Sequence, residues 1–313
     1  MTSLFPPPPS DAEIDRLLAH VDRAPSVLNT RPWRFVVDRG AVHVHADRSR
    51  QLLALDPDGR DLVVSCGAAL FYLRTAARHA GWAPVVEVLP EPGDPDVLAA
   101  VRFVPQPAPD DDRLFRALSV RHTHRHPFTD AAIPTDVVRE MVEAASAEGA
   151  RLHMLTKWED RAGVSRLVEE GVAIQGFDPA VADDLRAWLR SDTDPRPDGI
   201  RDAVQGEWDR RSDLRTPLAD VAVHKSDLAR AAPALGVVST AADGPADWLT
   251  AGEAMAHALV VAASRGVSAS FINQPVEVES LRTRLAGRLG GVFPQVAFRL
   301  GYPSDEGVGT NES

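Results

Sequence analysis

Two helices too apolar to lie on a surface constrain this chain more than any other feature. Cys66–Gly81 (CGAALFYLRTAARHAG) and Ala251–Gly266 (AGEAMAHALVVAASRG) are runs of small, apolar residues, each ending on a glycine suited to a left-handed helix cap. At one constant offset Gly67 matches Gly252, Ala69 matches Ala254, Ala77 matches Ala262 and Gly81 matches Gly266. Each is followed by β-prone residues, Ala83–Leu89 and Val267–Ile272. Helices of this kind need cover on most sides, so they are expected at the centre of the molecule. Packed on each other they would form a pseudo-twofold core, like a homodimer interface held within one chain. Chance similarity between alanine-rich helices is the alternative.

Other sequence properties limit the function. The chain has 313 residues, enough for one large domain or two ordinary ones. A formal charge of -11 argues against nucleic acid or an anionic membrane as partner, since both call for a positive surface. The longest apolar candidate, Ala254–Ala263, is too short to span a bilayer and carries His257. No basic region followed by an apolar core marks a secretory signal at the start of the sequence. The single cysteine, Cys66, excludes an internal disulfide and reads as a buried helix residue, so a reducing cytoplasm is the expected location.

Proline and charge divide the chain. Residues 1–105 read as a first half, 106–112 as a proline-rich, acidic linker, and 113–313 as a second half. Pro6–Pro9 and Pro303–Ser313 read as loosely ordered ends. In the second half Pro134–Glu148 reads as a helix, Arg151–Thr156 as a strand and Lys157–Val172 as a helix. Between about 175 and 225 the chain is charged and broken by Pro179, Pro195, Pro197, Gly199 and Pro217, with Trp188 and Trp208 inside. Solvated surface helices explain such a stretch. So does a lid-like insertion carrying aromatic residues over a pocket.

Two short segments carry the chemistry. Ala24-Pro25-Ser26-Val27-Leu28-Asn29-Thr30-Arg31-Pro32-Trp33 joins a helix over Asp11–Arg23 to strands at Trp33–Val37 and Val42–Ala46, with a turn at Arg39-Gly40. Its prolines restrict the loop and hold the polar groups between them, though an ordinary helix-to-strand connection has the same composition. Arg121-His122-Thr123-His124-Arg125-His126-Pro127-Phe128, if extended, puts Arg121, Thr123 and Arg125 on one side and the three histidines on the other. Two guanidiniums flanking a hydroxyl suit a phosphate. A metal site of alternate imidazoles at His122, His124 and His126 is a second reading, without a carboxylate spaced to match. A plain basic surface run is a third.

Taken in order, these pieces resemble the nitroreductase superfamily of flavoproteins, and within it the fused, double-length branch of mycobacterial Acg-type proteins. The resemblance rests on Ala24-Pro25-Ser26-x-x-Asn29-Thr30-x-Pro32-Trp33, on Arg121-x-Thr123-x-Arg125-x-Pro127-Phe128, and on Gly252–Gly266 leading into Ser268–Gln274. Phe293-Pro294-Gln295-Val296 through Gly301-Tyr302-Pro303 completes it. It implies an α+β, three-layer fold of two pseudo-repeated halves, with central sheets flanked by helices and a lid-like insertion. It further implies one FMN site between the halves. Arg121, Thr123 and Arg125 would hold the phosphate and ribityl end, with Pro25, Ser26 and Asn29 approaching from the opposite half. Ser270, Phe271, Ile272 and Gln274 would lie along the isoalloxazine ring, a backbone N–H near its reactive nitrogen. Relatives carry Gln before the Pro-Trp pair. Here Arg31 stands there and places a positive charge near the expected flavin edge. Relatives also often end in arginines that reach the phosphate, whereas this chain ends in an acidic, glycine-rich tail.

The resemblance implies an FMN-dependent oxidoreductase passing hydride from NAD(P)H through the flavin to a small organic acceptor such as a nitroaromatic or quinone, in ping-pong fashion. Because each site motif occurs once, in different halves, one FMN per chain is expected, and a monomer suffices although a homodimer is allowed. The flavin carries the chemistry, so no side chain is nominated as acid, base or nucleophile. Two alternatives stay open within flavin chemistry: a lidded flavin-binding or sequestering protein with little turnover, and a specialised flavin dehydrogenase of a small natural product.

Overall fold

A computed structural model describes residues 8–201 and 218–304, with side chains at 218–224 left aside. In chain order the elements are α1 (Asp11–Leu18), β1 (Trp33–Asp38), β2 (Ala41–Ala46), α2 (Arg60–His79), β3 (Trp82–Val88), β4 (Val97–Pro105), α3 (Arg113–Val120), α4 (Thr135–Ala147) and β5 (Arg151–Leu155). There follow α5 (Trp158–Gly176), α6 (Pro179–Ala187), β6 (Leu189–Arg190), β7 (Ile200–Arg201), α7 (Leu218–Ala231), β8 (Ala234–Thr240), α8 (Pro245–Ser264), β9 (Ser268–Phe271), α9 (Gln274–Glu277), α10 (Glu279–Arg288) and β10 (Phe293–Gly301). The expected α+β class is found. The helix expected over Asp11–Arg23 stops at Leu18 and resumes as a 3-10 turn at Val21–Arg23.

Two antiparallel four-stranded sheets run β1-β2-β4-β3 and β5-β8-β10-β9. Numbered within its own set, each has the order first-second-fourth-third, and in each a long apolar helix joins the second strand to the third. Those helices are α2 and α8, and they cross at glycine. A Cβ on Gly67 would lie 2.1 Å from the Leu249 carbonyl oxygen and 3.0 Å from the Gly252 Cα. A Cβ on Gly252 would lie 2.0 Å from the Val64 carbonyl oxygen and 2.9 Å from the Gly67 Cα. Each glycine therefore meets the carbonyl three residues before the other. Close approach of two backbones is the physical reason for glycine at both positions.

Around that crossing the main core joins α2 and α8 to faces of both sheets, including Leu70, Phe71, Val101, Leu259, Val260 and Phe298. A second cluster, with Leu167, Val168, Leu235, Val237, Ile272 and Leu285, is formed by α5, β8, α10 and neighbouring segments. Cys66 is buried and its thiol hydrogen-bonds the Pro32 carbonyl at 3.3 Å, while burial pushes its pKa up. That matches a structural rather than a reactive cysteine. Among the described residues no helix is long and apolar enough to cross a membrane.

Candidate functional site

The Ala24–Trp33 connection is held in an uncommon shape. Leu28, Asn29 and Arg31 have φ of 46°, 54° and 49°, left-handed values that non-glycine residues rarely adopt. Side chains fix them: the Ser26 hydroxyl accepts from the Arg31 N–H at 3.0 Å, and the Ser65 hydroxyl accepts from the Val27 N–H at 3.1 Å. The loop thereby rests on the first turns of α2. Such strain persists where surrounding structure over-determines it, and it concentrates at binding sites.

The Arg121–Phe128 segment is placed by β9. Thr123 bridges Ala269 in parallel, and the His124 N–H donates to the Ala269 carbonyl at 2.8 Å. Arg299, an inward-facing arginine of β10 that is 2% exposed, anchors the same segment from the other side. Its Nη1 donates to the His126 carbonyl at 3.0 Å, and its Nη2 to the Arg125 and His124 carbonyls at 2.9 and 3.3 Å. The guanidinium also lies 4.6 Å from the centre of the Phe128 ring, a cation–π contact.

These elements enclose a cavity of about 740 Å³, within the range of small-molecule sites. It joins residues expected from the sequence: Pro25 and Ser26 from the first loop, Thr123 and Arg125 from the second, and Ser270, Phe271, Ile272 and Gln274 from β9 and the turn after it. Val64 and Met255, from the crossing helices, supply apolar surface. Three expected residues are placed elsewhere. Asn29 donates its side-chain amide to the carbonyls of Gly199 at 2.9 Å and Pro197 at 3.3 Å. Arg31 lies 3.7 Å from Asp22 in an ion pair. Arg121 donates to the Tyr72 hydroxyl at 2.8 Å and to the Arg23 carbonyl at 3.1 Å, and lines a second cavity of about 230 Å³. Thr123 and Phe271 line both cavities.

Residues of the charged stretch after 175 cover part of the large cavity. Leu185 and Ile200 line it. Asp184 accepts from the Ala54 and Leu55 N–H groups at 2.8 and 3.1 Å, and Asp198 pairs with Arg50 at 2.9 Å and Arg190 at 3.1 Å. Trp188 packs against a small cluster of Leu52, Leu55 and Val181, with Arg190 over its ring at 5.2 Å. Trp208 and Pro217, also placed in that stretch by the sequence, lie outside the described residues.

Sequence reasoning passed over a group of ionisable residues that also lines the cavity: Asp61, Lys225 and Glu277, together with Gln175. Asp61 stands in the first turn of α2 and is 3% exposed, and burial pushes its carboxyl up to about 6. Burial likewise raises Glu277, opposed by the Gln175 amide, which donates to it at 2.6 Å. Asp56 is raised to about 6, chiefly by burial and then by Asp61, although its carboxylate accepts from the N–H groups of Asp61 and Leu62 at 3.0 and 2.9 Å. Arg299 was missed as well. Its one sequence signal is a guanidinium inside the apolar run Val296-Ala297-Phe298-Arg299-Leu300.

The histidines of the second motif do not converge. His122 Nδ1 lies 3.0 Å from the Val120 carbonyl and His124 Nε2 lies 3.2 Å from the Pro127 carbonyl, while the His124 ring stacks on Phe128. Among the described residues no group of His, Cys, Asp and Glu is arranged to hold a metal ion.

No protein-family profile matches the chain. A Mycobacterium tuberculosis protein named "Putative NAD(P)H nitroreductase" is 28% identical over 317 residues, covering 96% of this chain and 88% of the relative. The M. tuberculosis protein named "Putative NAD(P)H nitroreductase acg" is 27% identical over 289 residues, covering 89% of this chain and 86% of its own length. Among solved structures, a nitroreductase with bound FMN from Bacteroides fragilis aligns with 64% of this chain and 92% of its own, at 16% identity and a TM-score of 0.40. The resemblance to Acg-type proteins of the nitroreductase superfamily, read from scattered motifs, thus extends along nearly the whole sequence.

Proposed function

We propose that this protein is an FMN-dependent oxidoreductase of nitroreductase type, which passes hydride from NAD(P)H to a small organic acceptor and holds one FMN per chain. The observation that supports it most is the convergence on one cavity of Pro25 and Ser26, Thr123 and Arg125, and Ser270 through Gln274. These segments are far apart in sequence, and they are the ones expected to surround a flavin. Their chemistry fits the cofactor. Val64, Met255, Phe271 and Ile272 offer apolar surface to a flat ring, while Thr123 and Arg125 offer a hydroxyl and a fixed positive charge to its polar tail. Gln274 brings a buried amide oxygen with no donor among the described residues, a partner for a ring N–H.

When bound, FMN supplies two-electron hydride chemistry, and the protein's part is position and electrostatics. Arg299 fixes the His124–His126 backbone and so aims Arg125. The loop carrying Ser26 presents the opposite wall. Leu185 and Ile200 shield part of the cavity from water. The site is assembled from segments before residue 105 and after residue 113, and each motif occurs once, which is the basis for a single flavin.

A second reading, a flavin-binding protein with little turnover, is favoured by how firmly the covering segment is fastened through Asn29, Arg50 and Asp184. One experiment separates the two. The purified protein should show flavin absorption bands, about one FMN released per chain on denaturation, and rapid bleaching by NADPH without oxygen. Flavin bands that persist under excess NADPH and NADH point to the low-turnover reading. Protein that takes up no FMN refutes both.

A further inference from the structure

We propose that the segment covering the cavity supplies an aliphatic slot for the tail of the acceptor, so that the preferred acceptor is a ring bearing an alkyl chain, with Leu185 and Ile200 setting this preference. The inference rests on the FMN reading above, which places the reducible ring of the acceptor at the flavin.

The cavity has two kinds of wall. The segments read as holding FMN, around Thr123 and Arg125 and from Ser270 to Gln274, bring hydroxyl, guanidinium and amide groups. The wall that continues from Pro25 and Ser26 consists of Val27, Leu28, Leu55, Leu185 and Ile200, all aliphatic. These form one surface. Val27, Leu28 and Leu55 share a cluster with Val181, and Leu185 follows Val181 by one turn of α6. Ile200 is held beside them because the Gly199 N–H donates to the Asn29 carbonyl at 3.0 Å. The charged groups of the covering segment are taken up within the protein, Asp184 by the Ala54 and Leu55 N–H groups and Asp198 by Arg50 and Arg190. Leu28 keeps its place at a φ of 46°, an uncommon conformation for leucine that glycine would adopt without strain. The same surface leads outward. Ile200 pairs with Leu189 across β6 and β7, which puts both side chains on one face, and Leu185 and Leu189 are 39% and 43% exposed.

Desolvation decides what part of a ligand fits there. A ribose, phosphate or carboxylate against this wall would lose hydrogen bonds to water and find no side-chain partner in exchange. An alkyl chain loses nothing of that kind, and it removes apolar surface from water on both sides of the contact. Because the wall runs from the cavity to the surface, the chain can leave along Leu185 and Leu189 while the ring stays at the flavin.

4-Alkylbenzamides from methyl to hexyl share a ring that is not reduced and differ in chain length alone. Their binding to the FMN-loaded protein is followed by calorimetry and by perturbation of the flavin bands, which reports the ring at the flavin. Affinity is expected to rise about two- to fourfold for each methylene that reaches the wall. Leu185→Asn combined with Ile200→Asn should flatten that rise, whereas Leu185→Met, apolar and similar in volume, should retain it. Both side chains are partly exposed, so these substitutions leave the core intact. Affinity independent of chain length overturns the proposal. A rise that persists unchanged in the double variant does so too, since it would be unspecific partitioning. If the protein takes up no FMN, the functional reading fails. The same series on flavin-free protein, read by calorimetry alone, then still decides whether Leu185 and Ile200 hold the chain.

Discussion

A buried arginine whose hydrogen bonds go to consecutive carbonyls acts on the site through the backbone. Replacing Arg299 with Met keeps a long apolar stem but strips donors from His124, Arg125 and His126. Hydrogen bonds to a charged group are worth about 1.5–3 kcal/mol each, so part of that loss should reach the flavin as a misplaced Arg125. Arg299→Met is expected to weaken FMN about tenfold or more in a fluorescence titration of flavin-free protein. Arg125→Ala should have a similar effect, and unchanged affinity in both would remove this segment from the site. The sequence made Arg125 visible because its motif is local, and left Arg299 unread because its partners lie far away in the chain. Arg121 shows the opposite limit. The alternation argument needed a free-standing extended run, but Arg121 is the C-terminal cap of α3, its N–H still bonded to the Ala117 carbonyl at 3.0 Å. Its side chain consequently turns toward Tyr72.

At the scale of elements, composition alone was enough to place α2 and α8 at the centre. Helices with so little polar surface have few places to go. Their mutual geometry makes the glycines testable: Gly67→Ala and Gly252→Ala would each drive a Cβ to within about 2 Å of a carbonyl oxygen. Overpacking of this kind costs about 1–3 kcal/mol. The expected outcome is a drop of several degrees in thermal midpoint for either substitution, of similar size in both. The covering segment was less legible. Proline and charge left it open between solvated surface helices and a lid-like insertion, and nothing local revealed that Asn29 would fasten it, because that amide's direction follows from left-handed backbone angles. Asn29→Ala should raise amide hydrogen exchange over residues 188–201, with little change in α2. Equal exchange in the two proteins would mean that the other anchors suffice.

For the molecule as a whole, α2 and α8 share a buried ionic cluster distinct from the cavity. Arg74 pairs with Glu148 at 2.6 Å and with Glu253, while His257 lies 3.0 Å from Glu148. The two acids respond in opposite directions. Burial outweighs the pull of Arg74 at Glu253 and lifts it from an ordinary 4.5 to about 7. At Glu148 burial is overcome by His257 and Arg74, leaving it at about 2. A carboxyl raised on folding favours the folded state below its ordinary pKa, and that contribution is lost as pH rises through the folded value. Glu253 should therefore disfavour the fold increasingly between about pH 4.5 and 7, by on the order of 3 kcal/mol. Glu148 has the reverse sign, and its contribution disappears only as pH falls from about 4.5 toward 2. Glu253→Gln should gain stability relative to the parent protein between pH 5 and pH 8, as read from paired thermal melts. A constant difference would show that Glu253 does not titrate there.

The cavity's walls also decide how the site responds to dilution. Pro25 and Ser26 face Ser270 through Gln274 across it, and all belong to one polypeptide. A site divided between separate subunits dissolves as protein concentration falls below the constant for their association. Here the two walls are tethered at a fixed effective concentration, so assembly is first order and independent of how many molecules are present. A cell could hold only a few copies of this protein and every copy would still possess a complete cavity.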